Sequence, residues 1–261
     1  MSVVQEQAVL TDQIDGILVI TMNRPRVRNA INVALARGVA QAFDRLDADP
    51  DLVAGVLTGA APCFSAGMDL KAFVAGEQMW EGEGDDLGMR RIVTRGARKP
   101  MLAAIEGFAV AGGLELALAC DILVAGRSAR FGIPEVQRSI IAGGGALRRI
   151  PQRTGPGVAM KLALTGDLVD GDVAQRIGLV DEVAEDGQAL ATAVALAQAI
   201  GRNGPLAVAA TKAILRSQAD WTEAEFWARQ QEITDPVLAS EDAREGSRAF
   251  SEKRDPVWSG R

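Results

Sequence analysis

The sequence predicts an α/β chain in which short buried strands alternate with helices, followed by a helical C-terminal part. Three observations carry that expectation. Apolar runs at residues 16–22, 52–57, 101–105 and 121–125 have the length and bounding turns of buried strands. Apolar residues at helical spacing, or a run apolar on every side, fill intervals between them. From Gly145 onward the pattern is mostly helical, with one short strand at residues 180–183. Alternation of this kind favours parallel strands joined by right-handed crossovers. No exact internal repeat accompanies it.

The totals narrow the chemistry. A chain of 261 residues, 48% hydrophobic and 24% charged, forms one large domain or one domain with an appendage. We divide it into a core at 1–200 and a helical C-terminal region at 201–261. No apolar run approaches the roughly 18 residues of a membrane span, and the first twelve residues carry no basic side chain, unlike a signal peptide. Cys63 and Cys120 read as reduced core thiols, so a cytoplasmic location is expected. A net charge of −6 argues against a nucleic-acid surface. The absence of histidine and tyrosine removes serine–histidine triads, histidine-ligated metals and imidazole bases. Proton transfer near neutral pH then falls mainly to carboxyl groups whose pKa is raised.

In chain order, the first strand, 16–22, is stopped by Asn23-Arg24-Pro25. Asn32 is placed to cap a helix running to about Asp47, with Leu35, Val39, Phe43 and Leu46 on its apolar face. Asp49-Pro50-Asp51 turns the chain into the next strand, after which Ala61-Pro62-Cys63-Phe64-Ser65-Ala66-Gly67-Met68-Asp69-Leu70 turns through small residues. The least regular stretch, 71–99, mixes glycines, acids and the large apolar residues Phe73, Met79 and Trp80.

The strand at 101–105 leads through Gly107 to the pair Gly112-Gly113 and a helix at 114–120 that is apolar on all sides except for Glu115. A glycine pair at such a junction leaves backbone N–H groups bare and permits close approach of another chain. The helix start adds partial positive charge there. Together these suit a developing oxyanion with an acid or base one turn away; a tight turn into a buried helix is the plainer reading. Residues 129–136 form an extended piece ended by Pro134, and Glu135 follows, twenty residues beyond Glu115. Taken alone, Glu135 reads as a surface glutamate. Gly155-Pro156-Gly157 breaks the helices after Gly145, and Asp170-Gly171-Asp172 starts a short helix ending near Gly178. Amphipathic helices follow at 187–202, 205–219 and 222–234, then one from 241 to about 253 capped by Ser240. Leu190, Val194, Ala197, Leu206, Val208, Ile214 and Leu215, with Phe226, Trp227, Val237 and Leu238, are more apolar surface than a small appendage covers, which predicts an oligomer.

The Ala66-Gly67-Met68-Asp69-Leu70 and Ala111-Gly112-Gly113-Leu114-Glu115 turns together resemble the enoyl-CoA hydratase/isomerase (crotonase) family. Further matches, in the right order over nearly the whole chain, are Asn23-Arg24-Pro25 with Asn29-Ala30, Phe131-Gly132-Ile133-Pro134-Glu135 with Gly143-Gly144-Gly145, Leu164-Thr165-Gly166, Gly178-Leu179-Val180-Asp181, and Phe250 with Lys253. The resemblance implies a crotonase-like ββα superhelix (spiral) with a C-terminal helical oligomerisation region, packed as a homotrimer or dimer of trimers. It implies an acyl-CoA thioester substrate, coenzyme A entering as part of that substrate, and no separate cofactor or metal. Met68 and Gly112 would each give a backbone N–H to the thioester oxygen, within turns that include Ala66, Asp69 and Leu70.

In the hydratases of this family a glutamate stands at both positions matched by Glu115 and Glu135. By that likeness Glu115 orients and deprotonates water, and Glu135, held protonated, supplies the α-proton. Arg26 and Arg28, in the loop after the first strand, would contact the phosphates or pantetheine of CoA; two solvated arginines is the other reading. Phe250 and Lys253 match the family's late F-x-x-K, whose lysine reaches CoA phosphate. Phe73, Met79, Trp80 and Leu87 would line the acyl pocket or simply pack beneath a loop. Ala111, Arg138, Ser139 and Ala142 depart from the usual pattern and bear on acyl-chain shape. The implied reaction is hydration of a 2-enoyl-CoA. Isomerisation, dehydration of a specialised hydroxyacyl-CoA, and acyl-CoA binding without turnover are the alternatives.

Overall fold

A computed structural model describes residues 7–76 and 88–261. Nine strands and eleven α-helices follow one another among the described residues: β1 (Val9–Ile14), β2 (Ile17–Met22), α1 (Val33–Ala48), β3 (Ala54–Gly59), α2 (Leu70–Val74), α3 (Gly88–Arg95), β4 (Met101–Ile105), β5 (Phe108–Val110), α4 (Gly112–Ala119), β6 (Ile122–Gly126), β7 (Arg130–Gly132), α5 (Ala146–Thr154), α6 (Pro156–Thr165), β8 (Val169–Asp170), α7 (Gly171–Arg176), β9 (Glu182–Ala184), α8 (Ala189–Gly201), α9 (Pro205–Ser217), α10 (Glu223–Leu238) and α11 (Glu241–Glu252).

The strands form two sheets. The larger has the order β1-β2-β3-β4-β6-β9, parallel throughout except for the β1–β2 pair. The smaller has the order β5-β7-β8, with β5 parallel to β7 and β8 antiparallel to it. β4 lies in the large sheet and β5 in the small one before α4; β6 and β7 repeat the step. From β4 onward each turn of chain therefore gives a strand to each sheet, which is a spiral of strand pairs.

Alternate side chains divide between two cores, as the period of two along a strand requires. On β4, Met101, Ala103 and Ile105 join the main core, which holds Leu35, Val39 and Phe43 of α1 and most of α4. Leu102 and Ala104 face the other way, onto Ala189, Ala193 and Ala197 of α8. Asn32 caps α1 as its sequence suggests, its side chain accepting from the Leu35 N–H.

The structure departs from the sequence reading in four places. β1 and its hairpin to β2 are additional; the turn is Asp15-Gly16, both with positive φ, a hairpin signal that the apolar pattern overshadows. The stretch from Gly107 to Gly113 contains strand β5 of a second sheet, too short at three residues to show a period. Val194 and Ala197, which the sequence places on the apolar surface that predicts an oligomer, lie instead against the large sheet of their own chain through α8, Ala197 within the second core and Val194 packed on it. β3 begins at Ala54 rather than at residue 52.

Beyond α8 the chain buries little. Neither α9 nor α10 has a fully buried side chain, and Leu215, Trp227, Leu238 and Phe250 are exposed. α9 is tied to the core through Lys212 Nζ, 2.6 Å from the Asp121 carboxylate. The C-terminal tail is held by Asp242, which accepts from the Ser259 and Gly260 N–H groups. No helix of the described residues is long and apolar enough to cross a membrane.

Candidate active site

The turn at Ser65–Met68 joins the small sheet, with Ser65 N–H donating to Phe108 O and Val110 N–H to Ser65 O. Behind it stands Asn29, fully buried. Asn29 Nδ2 donates to Ala60 O (2.8 Å) and Cys63 O (2.6 Å), and its Oδ1 accepts from Arg24 N–H (2.9 Å). Ser65 Oγ donates to Asn29 O and accepts from Gly67 N–H. The Arg24 guanidinium bridges Ala30 O and the Asp69 carboxylate. Asp69 also caps α2 by accepting from Lys71 and Ala72 N–H, and its pKa is lowered by those bonds and Arg24 against the opposing effect of burial, the largest single influence. A buried polar network with its members paired fixes backbone geometry.

The second turn packs into the first. Gly67 has φ +89°, and a Cβ there would lie 2.8 Å from Ala111 Cβ. A Cβ on Gly113 would fall 2.5 Å from Ser65 O, so only glycine admits this approach. Ala111, the residue before α4, holds φ 51°, ψ −130°, a strained conformation for a residue with a side chain. These constraints bring Gly112 beside Met68: a Cβ on Gly112 would be 3.6 Å from Met68 N. Among the described residues no protein acceptor meets either N–H.

Opposite these amides stand two buried carboxyls. Glu115, on the first turn of α4, accepts at Oε1 from Gly144 N–H (2.5 Å) and Ala146 N–H (3.2 Å). A Cβ on Gly144 would sit 2.4 Å from Glu115 Oε2, so the Gly143-Gly144-Gly145 segment fits against this carboxyl. Arg149 of α5 holds that segment, donating to Gly144 O (3.5 Å) and, in a short bond, to Val93 O of α3. Burial pushes the Glu115 pKa up to about 7, with neighbouring Glu135 adding to the rise while the two N–H bonds and Arg149 oppose it. Glu135 opens a 3₁₀ turn, Pro134–Arg138. Its pKa is raised by burial, which its own backbone N–H and Arg138 counter, and its Oε2 is buried without a hydrogen-bond partner.

Both carboxyls open on one cavity of about 500 Å³, whose wall is otherwise mainly apolar: Ile31, Ala66, Met68, Leu70, Phe73, Met89, Val110, Ala111, Gly112, Pro134, Ile140, Ile141 and Gly143, with Arg138 as its one basic residue. The fold thus gathers Glu115, Glu135, Met68, Gly112, Ala66 and Leu70 around one space. It does not bring the other candidates there. Asp69 is occupied as a helix cap and ion-pair partner, so it shapes the turn from behind. Arg26 and Arg28 are exposed on the turn at Pro25–Val27. Phe250 is 88% exposed, and Lys253 is the exposed, left-handed C-cap of α11; neither is in the cavity wall. Met79, Trp80 and Leu87 lie outside the described residues. Sequence reasoning assigned no role to Arg24, Gly144 or Arg149. Arg24, Asn29 and Gly144 stand in the quoted motif segments, but the carbonyls that Asn29 holds come from residues 31 and 34 positions away and are not visible in one dimension.

The sequence profile of the family described as enoyl-CoA hydratase/isomerase matches residues 12–261. The chain is 43% identical over 251 residues to enoyl-CoA hydratase EchA19 of Mycobacterium tuberculosis, covering 94% of this chain and 93% of that protein. It is 37% identical over 252 residues to carnitinyl-CoA dehydratase of Salmonella heidelberg, covering 94% and 95%. The crystal structure of enoyl-CoA hydratase EchA1 from Mycobacterium marinum superposes with a TM-score of 0.94 at 50% identity, covering 98% of this chain and all of that one. The profile match over residues 12–261, with 43% identity to one enoyl-CoA hydratase and 50% to another of the same fold, makes this chain a member of the enoyl-CoA hydratase/isomerase (crotonase) family.

Proposed function

We propose that the protein is an enoyl-CoA hydratase, reversibly adding water to a 2-enoyl-CoA to give a 3-hydroxyacyl-CoA. The observation that carries this reading is the pair of buried carboxyls with raised pKa facing two unpaired backbone N–H groups in an apolar cavity. The thioester oxygen takes the Met68 and Gly112 N–H groups, which stabilise the enolate as charge builds; one such donor is typically worth roughly 3 kcal/mol of barrier. Glu115, with a pKa of about 7, is substantially ionised at neutral pH. It accepts a proton from water as the oxygen attacks C3. Glu135, whose pKa burial raises, enters this step in its protonated form and donates to C2 as the enolate collapses. One carboxyl gains a proton and the other loses one, so exchange with solvent or between them resets the site. Coenzyme A belongs to the substrate, and this chemistry calls for no cofactor or metal.

Dehydration of a hydroxyacyl-CoA is the same path reversed, and the likeness to a carnitinyl-CoA dehydratase supports it as the second reading. The test is hydration of crotonyl-CoA, followed as loss of the conjugated thioester absorbance. Steady loss, with 3-hydroxybutyryl-CoA as product, is expected. Tight binding without turnover would instead make this an acyl-CoA-binding protein, and a shifted double bond would make it an isomerase.

The scarcity of buried side chains in α9 and α10, and the exposed Leu215, Trp227, Leu238 and Phe250, support assembly into a homotrimer or dimer of trimers. Arg26, Arg28, Phe250 and Lys253, none of them in the cavity wall, fit the reading in which they meet the CoA portion rather than the acyl group. Light scattering at micromolar concentration checks the assembly; a monomer mass with full activity would remove it. The two buried thiols fit a cytoplasmic protein.

A further inference from the structure

Among the described residues Arg138 is the one cation in the wall of the cavity, and it is exposed to solvent there. It closes the 3₁₀ turn that begins at Pro134 and Glu135 and precedes Ile140 and Ile141, which line the same wall. Other arginines near the site are committed: Arg24 to Asp69 and Ala30 O, Arg149 to Gly144 O and Val93 O. The Arg138 side chain makes no hydrogen bond or ion pair among the described residues. Its charge is felt by Glu135, which is itself held toward the protonated form. Among the described residues Glu115 and Glu135 are the only other charged side chains of the wall, and both are needed at the reacting carbons.

We infer that Arg138 selects the acyl group, and that the preferred substrate carries a carboxylate at the end of its acyl chain. The inference rests on the hydratase reading above and deepens it. In the open cavity the guanidinium is solvated. A hydrocarbon chain laid along this wall would strip that water and return nothing, which costs binding. A terminal carboxylate replaces the water with charge-assisted hydrogen bonds, two at once in the planar fork. Discrimination therefore runs both ways, penalising the neutral chain and rewarding the charged one. The rest of the wall, being apolar, accepts the methylene groups between the thioester and the charge.

The test compares hydration of carboxy-terminated 2-enoyl-CoA thioesters of increasing length with uncharged thioesters of equal length. The wild-type protein is expected to favour the charged member at one or more lengths. Arg138→Met should lower the ratio of kcat/KM for charged over uncharged substrate by roughly 10- to 100-fold, and Arg138→Lys should restore part of it. Calorimetric binding of saturated carboxyacyl-CoA and acyl-CoA, compared in the same proteins, reads the same preference without turnover. Failure to hydrate any thioester would thus count against the hydratase reading and leave this inference to be judged by binding. Preference for the uncharged member at every length, in turnover and in binding, would overturn it. So would an equal effect of Arg138→Met on both substrates, because that would make Arg138 a tuner of Glu135 instead.

Discussion

The two sides of the cavity are polar in opposite ways. On the amide side the functional groups are backbone N–H, and the buried side chains behind them, Asn29 and Ser65, are bonded at short range to main-chain partners. On the carboxyl side the functional groups are side chains kept from water, one of whose oxygens has no partner at all. The first arrangement fixes position, and the second sets protonation. A backbone donor needs only to be aimed, so the sequence around it is devoted to glycine and to the network that forces the turn. An acid or base needs a shifted pKa, so burial and the proximity of a second carboxyl take the place of histidine.

The largest expected effects test the carboxyl side. Glu115→Gln and Glu135→Gln should each reduce crotonyl-CoA hydration by about 10²-fold or more while leaving acyl-CoA binding largely intact, since the amides remain. Near-wild-type turnover in either variant would end the two-carboxyl mechanism. Gly144→Ala should follow at about tenfold or more, because its Cβ would stand 2.4 Å from Glu115 Oε2 and displace the base. Gly143→Ala is the comparison, since a Cβ there meets nothing within 4 Å, and it should be far milder. Equal losses from the two would show that the segment's flexibility matters rather than its fit to Glu115.

The amide side should respond in stability as well as rate. Asn29→Ala strands the buried Cys63 carbonyl, the half-buried Ala60 carbonyl and the Arg24 N–H, which by the usual cost of unpaired groups removes about 3 kcal/mol of folding free energy. Urea unfolding measures that loss, and the residual activity of the folded fraction shows whether the turn keeps its geometry without Asn29. A fully stable variant with normal turnover would mean that packing alone aims the amides.

The mildest effects concern pH. Glu115 titrates at about 7 in the fold against an ordinary 4.5. Because its folded pKa is raised, the stability that it contributes is fully present below pH 4.5 and is lost as pH rises through about 7. Hydration that needs the ionised base should fall as pH drops through the same value. Replacing Arg149 by Met removes a charge that holds the Glu115 pKa down, and should move this acid limb to higher pH. Glu135 and Arg149 are the charges acting on Glu115, and Arg216, Arg148, Glu115 and Cys120 act on Arg149. Arg148→Met, at an exposed residue paired with Asp220, should leave the limb nearly in place. An unmoved limb in Arg149→Met would reduce that residue to a clamp on the glycine segment.

Much of this arrangement is legible in one dimension because its causes are local. Asn32 caps α1 through a bond three residues on, β4 is an uninterrupted apolar run, and the glycine pair at the start of α4 announces close approach. Gly112, Met68, Glu115 and Glu135 are legible for the same reason, each sitting in a short segment whose resemblance to the family is itself local. The β1 hairpin and the small sheet were not legible, the first because its signal is a single Asp-Gly turn and the second because two- and three-residue strands have no measurable period. Nor was the true partner of α8: its apolar face specifies burial, but a neighbouring molecule and the chain's own sheet satisfy that demand equally well.

What the sequence determined by itself, then, is the inventory: an α/β chain with no imidazole, two turns able to bare amides, and two glutamates twenty residues apart. Only the tertiary structure decided that Asn29 holds carbonyls from the turn after β3, that Gly144 abuts Glu115, that Arg149 spans from α5 to α3, and that Arg138 is left at the cavity with no partner among the described residues. Each of these is a contact between segments distant along the chain, where the deciding quantity is which groups burial leaves paired. That quantity exists only once the chain has closed around them.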